Sequence, residues 1–266
     1  MESVPRVLAS TTSHKREPLL PTLDVFARLG LRAIDLNLHH ILELGEPVDA
    51  ITGALAEHGQ RVWVVSGGWC DFFHPAPRVG ETFESVARQV ALVRQLEASR
   101  LRLFFGRLDR PDYSAASLEI IRGNLVRLSD EHPDISFVFE NHDGASLDPA
   151  VCAEVLERVS RPNIRMNFDP INFERAGIGS LHALDLLQPF IEHVHLKGLA
   201  EGEYCEFAEG DVDLTPVLRR LIARGFEGQF TVEYEGPRDG TLRLYQSVRR
   251  AEAQVLACVA SRQGPH

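Results

Sequence analysis

The segment IEHVHLKG, residues 191–198, alternates two histidines and a lysine with apolar residues. If the segment is a β-strand, His193, His195 and Lys197 project from one face, because side chains alternate with a period of two. A neutral imidazole can bind a divalent metal ion, and an ammonium group can bind an anionic oxygen. The segment is therefore the first candidate for metal or acid–base chemistry.

Three other β-rich segments carry a carboxylate at a matching level. ISFVFEN contains Glu140, NIRMNFD ends on Asp169, and GQFTVEYE contains Glu233. In each segment apolar residues alternate with polar ones. This pattern predicts an apolar face against helices and a polar face toward the interior of a barrel.

Together with His195, these carboxylates form a predicted ring of metal ligands: Glu140, Asp169, His195 and Glu233. A buried carboxylate without a partner costs several kcal/mol, so this ring needs a common counter-charge. Each residue alone is more often structural than a ligand, and the prediction depends on one candidate per consecutive strand. A mostly oxygen ligand set with net negative charge favours one Mn²⁺ ion, with Mg²⁺, Co²⁺ and Zn²⁺ as alternatives.

The elements that position this ring are eight β-rich segments alternating with eight amphipathic ones. The strand candidates are RVLAS, RAIDLNL, RVWVVSG, RLRLFFG, ISFVFEN, NIRMNFD, IEHVHLK and GQFTVEYE. The helix candidates span residues 22–29, 48–58, 79–97, 115–131, 149–159, 180–187, 214–224 and 241–260. Eight β/α units in 266 residues predict an α/β fold, a (β/α)8 TIM barrel with a single domain over residues 1–266. The ring then stands at the carboxyl ends of the strands, where this fold builds its active sites.

Composition narrows the classes of partner. The formal net charge of -10 disfavours nucleic acid, whose affinity for proteins comes largely from Lys and Arg. No apolar run approaches the roughly 18 residues of a membrane span, and the start MESVPRVLASTTSHKREP lacks the apolar core of a secretory signal. We therefore expect a cytoplasmic protein with reduced cysteines and a small-molecule substrate. The oligomeric state stays open, a homo-oligomer included.

Four motifs resemble a known family. FENH, NFDPIN, HVHLKG and TVEYEG, in this order, are similar to strand ends of the xylose isomerase-like TIM barrels of the sugar phosphate isomerase/epimerase group, and LRLFFGR resembles the family's fourth strand. The resemblance implies a single divalent metal held by Glu140, Asp169, His195 and Glu233. It also implies that Glu140 and Glu233 are the catalytic acid/base pair, which moves a proton next to a carbonyl through a metal-stabilised enediolate.

The sequence differs from two branches of that family at functional positions, and these differences limit which activities the resemblance implies. The ketose 3-epimerases carry a Glu six residues after the first ligand, a His three after the Asp and an Arg six after the His. Here these positions are Ser146, Asn172 and Glu201, so the substrate-recognition set does not carry over. The abasic-site endonucleases use a histidine-rich trinuclear zinc site, and Asn172 and the Asp-Val-Asp of residues 211–213 replace parts of it. A role in DNA repair is therefore disfavoured.

Five residues are predicted to contact the substrate: Trp69, Arg107, His142, Asn172 and Lys197. For His142 the alternative is a solvent-exposed loop histidine, and for Asn172 it is a cap of the following turn. For Lys197 it is an ion pair with Glu235 or Asp211. Trp69 belongs to SGGWCDFFHP, whose composition is typical of a substrate-covering loop or of a hydrophobic cluster over the barrel mouth.

The main functional hypothesis is a metal-dependent isomerase or epimerase acting on a sugar or a sugar-like polyol ketone. The first alternative is a lyase on the same site, such as a keto-inositol dehydratase or an enzyme that cleaves oxidised C-glycosides. A third alternative is not an enzyme but a non-catalytic barrel that binds a sugar. The acidic ring argues against it, because buried polar groups without a counter-ion are costly to maintain.

Overall fold

Short strands and helices alternate along the chain in the computed structural model, which describes residues 5–236 and 240–262. The strands are β1 (Arg6–Ser10), β2 (Ala33–Asn37), β3 (Arg61–Trp69), β4 (Arg100–Phe104), β5 (Ser136–Glu140), β6 (Ile164–Phe168), β7 (Ile191–Leu196), β8 (Gly198–Ala200), β9 (Glu203–Cys205) and β10 (Gln229–Val232). Eight of them form a closed barrel in the order β1, β10, β7, β6, β5, β4, β3, β2. The predicted TIM barrel is therefore confirmed. The predicted domain of residues 1–266 also covers residues 1–4, 237–239 and 263–266, which lie outside the described part.

The helices are α1 (Leu19–Arg28), α2 (His39–Leu42), α3 (Val48–Glu57), α4 (Val79–Gln95), α5 (Ala115–Glu131), α6 (Pro149–Val159), α7 (Pro170–Arg175), α8 (Ser180–Leu187), α9 (Thr215–Ala223) and α10 (Gly240–Arg262). All eight predicted helices are present, with ends shifted by at most three residues. Local capping explains several of these ends. The Ser114 side chain accepts a hydrogen bond from the backbone N–H of Ser117 to open α5, and Asp148 caps α6 ahead of Pro149.

The strands separate an apolar layer from a polar interior, as the alternation predicts. Fully buried apolar side chains of the strands join the core that packs against the helices: Phe137, Phe139, Met166, Phe168, Val194 and Phe230. The alternate positions are also buried but polar: Glu140, Asn167, His193, His195 and Thr231. The His195 ring lies 3.7 Å from Asp35 of β2, although β2 and β7 are not neighbours in the barrel. The polar side chains therefore meet across the barrel interior.

Two features at the carboxyl end of the barrel were not predicted. The short helices α2 and α7 follow β2 and β6 directly, and β8 and β9 form an antiparallel hairpin after β7. The hairpin depends on close backbone packing at two glycines. A Cβ atom on Gly198 would lie 2.1 Å from the Glu206 carbonyl oxygen, and one on Gly210 would lie 2.1 Å from that of Leu199. Gly198 therefore serves close approach of two backbones rather than a turn away from the barrel.

None of the described helices combines the length and the apolarity needed to cross a lipid bilayer.

Candidate active site and metal centre

Four side chains from four consecutive barrel strands converge at the carboxyl end of the barrel. Glu140 ends β5, Asp169 follows β6, His195 lies on β7, and Glu233 follows β10. One donor atom from each lies within 4.8 Å of the others, and all four residues are buried. Nδ1 of His195 lies 3.5 Å from Oε2 of Glu140 and of Glu233, and 3.9 Å from Oδ2 of Asp169. The structure thus brings together the four predicted ligands.

The donor set fits a divalent cation. Nδ1 of His195 is fully buried and makes no hydrogen bond within the described part of the chain. It lies 3.9 Å from Oδ2 of Asp169, which forms an ion pair with Lys197 but likewise makes no hydrogen bond among the described residues. Buried polar atoms are normally satisfied, so the ring nitrogen calls for a further partner. Three carboxylates and one imidazole are ligand types that suit a hard or borderline divalent ion.

Asp169 is held by the helix that it caps. Its Oδ1 accepts hydrogen bonds from the backbone N–H groups of Ile171 and Asn172, at 2.9 and 3.1 Å. Pro170 occupies the first turn of α7, where it lacks only an N–H that would have no helical partner. The cap uses one carboxylate oxygen and leaves Oδ2 toward His195. Burial raises the pKa of Asp169, and the nearby Lys197 opposes this shift without reversing it.

Glu140 is oriented by two amide donors and one guanidinium group. Nδ2 of Asn167 donates to its Oε2 and Nδ2 of Asn172 to its Oε1, both at 3.2 Å. Nε of Arg102 lies 3.2 Å from Oε2 in a buried ion pair. Burial raises the pKa of the Glu140 carboxyl, but His195 and Arg102 outweigh burial and lower the pKa to about 2.

Lys197 lies among three carboxylates. Its Nζ is 2.5 Å from Glu233 Oε2, 2.8 Å from Glu235 Oε2 and 3.1 Å from Asp169 Oδ2. Burial lowers the pKa of the ammonium, but Asp169 and Glu233 outweigh burial and hold this pKa well above its usual range. Burial likewise raises the pKa of Glu233, while Lys197 and His195 bring it well below its usual range. Glu233 and Lys197 are therefore both charged.

His193 lies deeper in the barrel, as its place two residues before His195 indicates. Its Nε2 is 2.8 Å from Oγ1 of Thr231, and the side chain is fully buried. Burial lowers the pKa of His193 well below the usual value, so the imidazole is neutral. His193 is a hydrogen-bonded core residue in this structure.

A cavity of about 390 Å³ opens next to the four converging side chains, and Glu140 and Glu233 line it. Of the five predicted substrate contacts, Trp69, His142 and Lys197 line this cavity. The Trp69 ring stacks on Phe104 with ring centroids 4.4 Å apart, and His142 meets both rings edge-on. These three rings form an aromatic wall on the side of β3, β4 and β5, next to Glu140.

The other two predicted substrate contacts lie elsewhere. Arg107 is exposed at the rim, with its guanidinium 4.6 Å from the centre of the Trp69 ring. Asn172 is not among the described residues that line the cavity, because its amide lies behind Glu140 and bonds to that carboxylate and to the Asn141 carbonyl. Asn172 thus orients a candidate ligand, and its predicted contact with substrate stays untested.

Two residues of the site were missed in the sequence. Asp35 lies inside β2, with Oδ2 3.7 Å from Nε2 of His195, and Arg102 lies inside β4 beside Glu140. Both are charged residues between two apolar neighbours in a β-rich segment, IDL and LRL. The alternation that identified the last four strands also holds in these two, where it predicts a charged residue on the interior face.

The family model for xylose isomerase-like TIM barrels matches residues 23–254. The 3-dehydroshikimate dehydratase of Bacillus anthracis is 23% identical over 133 residues, which are 48% of this chain and 47% of that protein. This chain thus spans about half the length of the curated relative that it matches.

Two solved structures share the fold. L-ribulose 3-epimerase superposes with a TM-score of 0.79 at 12% identity, over 98% of this chain and 97% of that one. A xylose isomerase-like TIM barrel protein from Mycobacterium smegmatis, solved in complex with magnesium, gives a TM-score of 0.77 at 14% identity, over 97% of this chain and all of that one. Because the family model covers most of the sequence, the chain belongs to the xylose isomerase-like TIM barrel family.

Proposed function

We propose that this protein is a divalent-metal-dependent isomerase or epimerase that moves a proton next to the carbonyl of a small sugar or sugar-like polyol ketone. The observation that carries the proposal is the convergence of Glu140, Asp169 and Glu233 on Nδ1 of His195, beside a cavity that Glu140 and Glu233 line. These four residues would hold the ion, for which Mn²⁺ is our first choice. When bound, a divalent ion supplies positive charge that stabilises negative charge developing on a substrate oxygen.

Glu140 and Glu233 are the proposed acid/base pair. They reach the cavity from β5 and β10, which are separated in the barrel by β6 and β7. A substrate between them has one carboxylate on each side. The ionised carboxylate on one side can take a proton and later release it to solvent, and the other can return a proton after picking one up from solvent. The lowered pKa values of Glu140 and Glu233 favour the ionised form, which is the form that takes the proton.

Lys197 supports the removal of the proton. Its ammonium lines the cavity and contacts Glu233, where it holds that carboxylate in the ionised form that takes up a proton. Arg102 keeps Glu140 in a fixed orientation through its buried ion pair. The two candidate bases thus have different partners, which suits different roles in one turnover.

The cavity fits a small polyhydroxylated substrate. About 390 Å³ is at the lower end of the range of small-molecule sites. Carboxylates and Lys197 on one side offer polar contacts for hydroxyl and carbonyl groups. The wall of Trp69, Phe104 and His142, which adjoins Glu140, offers rings against the apolar face of a sugar. The fold shared with L-ribulose 3-epimerase is compatible with such a substrate.

A dehydratase is the second candidate, and the match to the 3-dehydroshikimate dehydratase of Bacillus anthracis favours it. Dehydration starts with the same proton removal beside a carbonyl and then expels a hydroxyl group from the next carbon. His142 lines the cavity and can protonate that leaving group. The replacement of the epimerase recognition set by Ser146, Asn172 and Glu201 is also compatible with this reaction.

Solvent exchange tests the proposal and separates the two candidates. The Mn²⁺-loaded protein is incubated in deuterated water with a panel of keto sugars, keto-inositols and 3-dehydroshikimate, and products are analysed by mass and NMR. An isomerase or epimerase incorporates deuterium and conserves the carbon and oxygen count, whereas a dehydratase releases water. Glu140→Gln and Glu233→Gln should both lose the reaction, while Glu227→Gln, at an exposed glutamate, should keep it. Metal-dependent exchange with none of these ketones would contradict the proposal.

A further inference from the structure

Asp35 approaches His195 from the side of the ring that faces away from the three carboxylates. Its Oδ2 lies 3.7 Å from Nε2 of His195, and both side chains are fully buried. Neither atom has a hydrogen-bond partner within the part of the chain that the structure describes. A buried acceptor and a buried ring nitrogen thus face each other across the barrel interior, and a small side-chain rotation brings them into hydrogen-bond range.

Ser66 fixes the orientation of this carboxylate. Oγ of Ser66, on β3, donates a 2.7 Å hydrogen bond to Oδ1 of Asp35, and Ser66 is also fully buried. With Oδ1 engaged, Oδ2 is left toward the imidazole. An ionised carboxylate has acceptors only, so it can pair with Nε2 of His195 only by accepting a hydrogen bond from a ring N–H.

The two nitrogens of His195 therefore face different surroundings. Nδ1 faces Glu140, Asp169 and Glu233, and Nε2 faces Asp35. A neutral imidazole has one N–H and one lone pair. With the proton on Nε2, the lone pair on Nδ1 points into the candidate metal site. With the proton on Nδ1, the ring has no ligand atom there.

We propose that Asp35 is a positioning residue that accepts the Nε2–H of His195 and thereby holds the Nδ1 lone pair toward the metal site. This inference rests on the proposed function, because it assigns Asp35 a role toward the ion. Histidines that bind metals commonly donate their other N–H to a carboxylate, and loss of such a partner typically costs about 10–100-fold in metal affinity.

A second cation site is the competing interpretation of the same residues. Asp35, His193 and His195 also bring donor atoms within 4.8 Å of one another. Nε2 of His193 is paired with Thr231, which leaves its Nδ1 as a donor. However, His195 would have to bridge two ions through both of its nitrogens, which requires a ring without any N–H proton. The geometry therefore favours a hydrogen bond to His195 over a second ion.

Calorimetric titration of the metal-free, 266-residue chain with Mn²⁺ tests the proposal. Asp35→Asn should bind Mn²⁺ about 10–100-fold more weakly than the wild type, and Ser66→Ala should show a smaller loss. Glu235→Gln is the control, because it removes a carboxylate beside Lys197 without contact to the His195 ring, and its loss should be smaller than that of Asp35→Asn. Unchanged affinity in Asp35→Asn would overturn the proposal. So would two ions per wild-type chain and one in Asp35→Asn.

The tautomer of His195 gives a readout that a purely structural role would not move. In ¹⁵N-histidine spectra of the Zn²⁺-loaded protein, the His195 signals, assigned with His195→Gln, should show a protonated Nε2, and the opposite tautomer would overturn the proposal. If Asp35→Asn does not fold, Ser66→Ala decides by the same measurements.

Glu140→Gln distinguishes a failure of the proposed metal site from a failure of the proposed role of Asp35. If it keeps full Mn²⁺ affinity, the metal site itself is wrong and Asp35 has no such role. If it loses Mn²⁺ while Asp35→Asn and Ser66→Ala keep it, only the role of Asp35 is wrong.

Discussion

Nζ of Lys197 lies 2.5 Å from Oε2 of Glu233, with both side chains buried at the carboxyl end of the barrel. The ion pair keeps Glu233 ionised, since Lys197 and His195 lower the pKa of this carboxyl against the effect of burial. The same positive charge opposes a divalent cation at the neighbouring ligands. Lys197 therefore stabilises the clustered carboxylates and at the same time weakens their affinity for metal.

Replacing Lys197 by methionine should separate these two effects. Lys197→Met should bind Mn²⁺ more tightly, by roughly tenfold or more, because Coulomb repulsion between close charges inside a protein is worth a few kcal/mol. The metal-free variant should lose about 3–5 kcal/mol of unfolding free energy, because buried carboxylates lose their partner. Calorimetry with Mn²⁺ and urea unfolding measure the two changes. Weaker Mn²⁺ binding would show that Lys197 assists the site rather than competing with the ion.

The two histidines of β7 should respond differently to truncation. His195→Ala should abolish Mn²⁺ binding, because it removes the nitrogen on which the three carboxylates converge. His193→Ala should keep Mn²⁺ binding but lose about 2–4 kcal/mol of stability, since it leaves a cavity and an unpaired Thr231 hydroxyl. Metal content and thermal unfolding of both variants check this pair, and the reverse pattern would overturn the assignment.

Trp69 should affect substrate binding and leave the metal in place. Trp69→Ala removes the ring that stacks on Phe104, so KM should rise by roughly tenfold, as expected for about 1.4 kcal/mol of lost contact. Trp63→Ala is a matched control, because this ring packs between Arg6 and Arg61 and is not among the described residues lining the cavity. Steady-state kinetics on the identified substrate should show the KM change in the first variant only. Equal changes in both would indicate a general loss of structure.

Stability should fall as the pH is lowered through the range in which histidines titrate. Burial lowers the pKa of His14 and of His40, and the nearby Glu17 and Glu46 oppose these shifts without reversing them. Below pH of about 6.5 the unfolded chain binds protons at these sites that the folded chain does not, so the unfolding free energy falls. The slope approaches about 1.4 kcal/mol per pH unit for each such histidine.

Urea unfolding between about pH 8 and about pH 5.5 measures this dependence. The double variant His14→Gln and His40→Gln should have a shallower slope than the wild type over this range, because neither glutamine titrates. The exposed carboxylates contribute equally to both proteins. Parallel slopes would show that these two histidines do not carry the effect.

The four candidate metal ligands could be predicted from the sequence, because polar and apolar residues alternate in the segments that carry them. Glu140, Asp169, His195 and Glu233 each sit in a segment where several polar residues alternate with apolar ones, and the barrel topology brings such segments to one level. Asp35 and Arg102 each stand between two aliphatic residues, and their roles depend on partners from other strands. Those contacts are set by packing across the barrel, which no local pattern encodes.

The loops above the barrel were less predictable for a similar reason. Asn172 carries a side chain that could contact substrate or protein equally well, and only the position of α7 directs its amide to Glu140. The β8–β9 hairpin consists of two short strands whose pairing depends on close contact at Gly198 and Gly210. Phe72, in the loop after β3, packs on Phe83 and Phe139 rather than facing the cavity.

The metal content of the protein tests the central claim most directly. The 266-residue chain is freed of metal, equilibrated with Mn²⁺, desalted and analysed by elemental analysis, beside the double variant Glu140→Gln and Glu233→Gln. Circular dichroism establishes that both proteins are folded. We predict one Mn²⁺ per wild-type chain and none in the double variant. Equal Mn²⁺ content in the two proteins would contradict the proposed metal site.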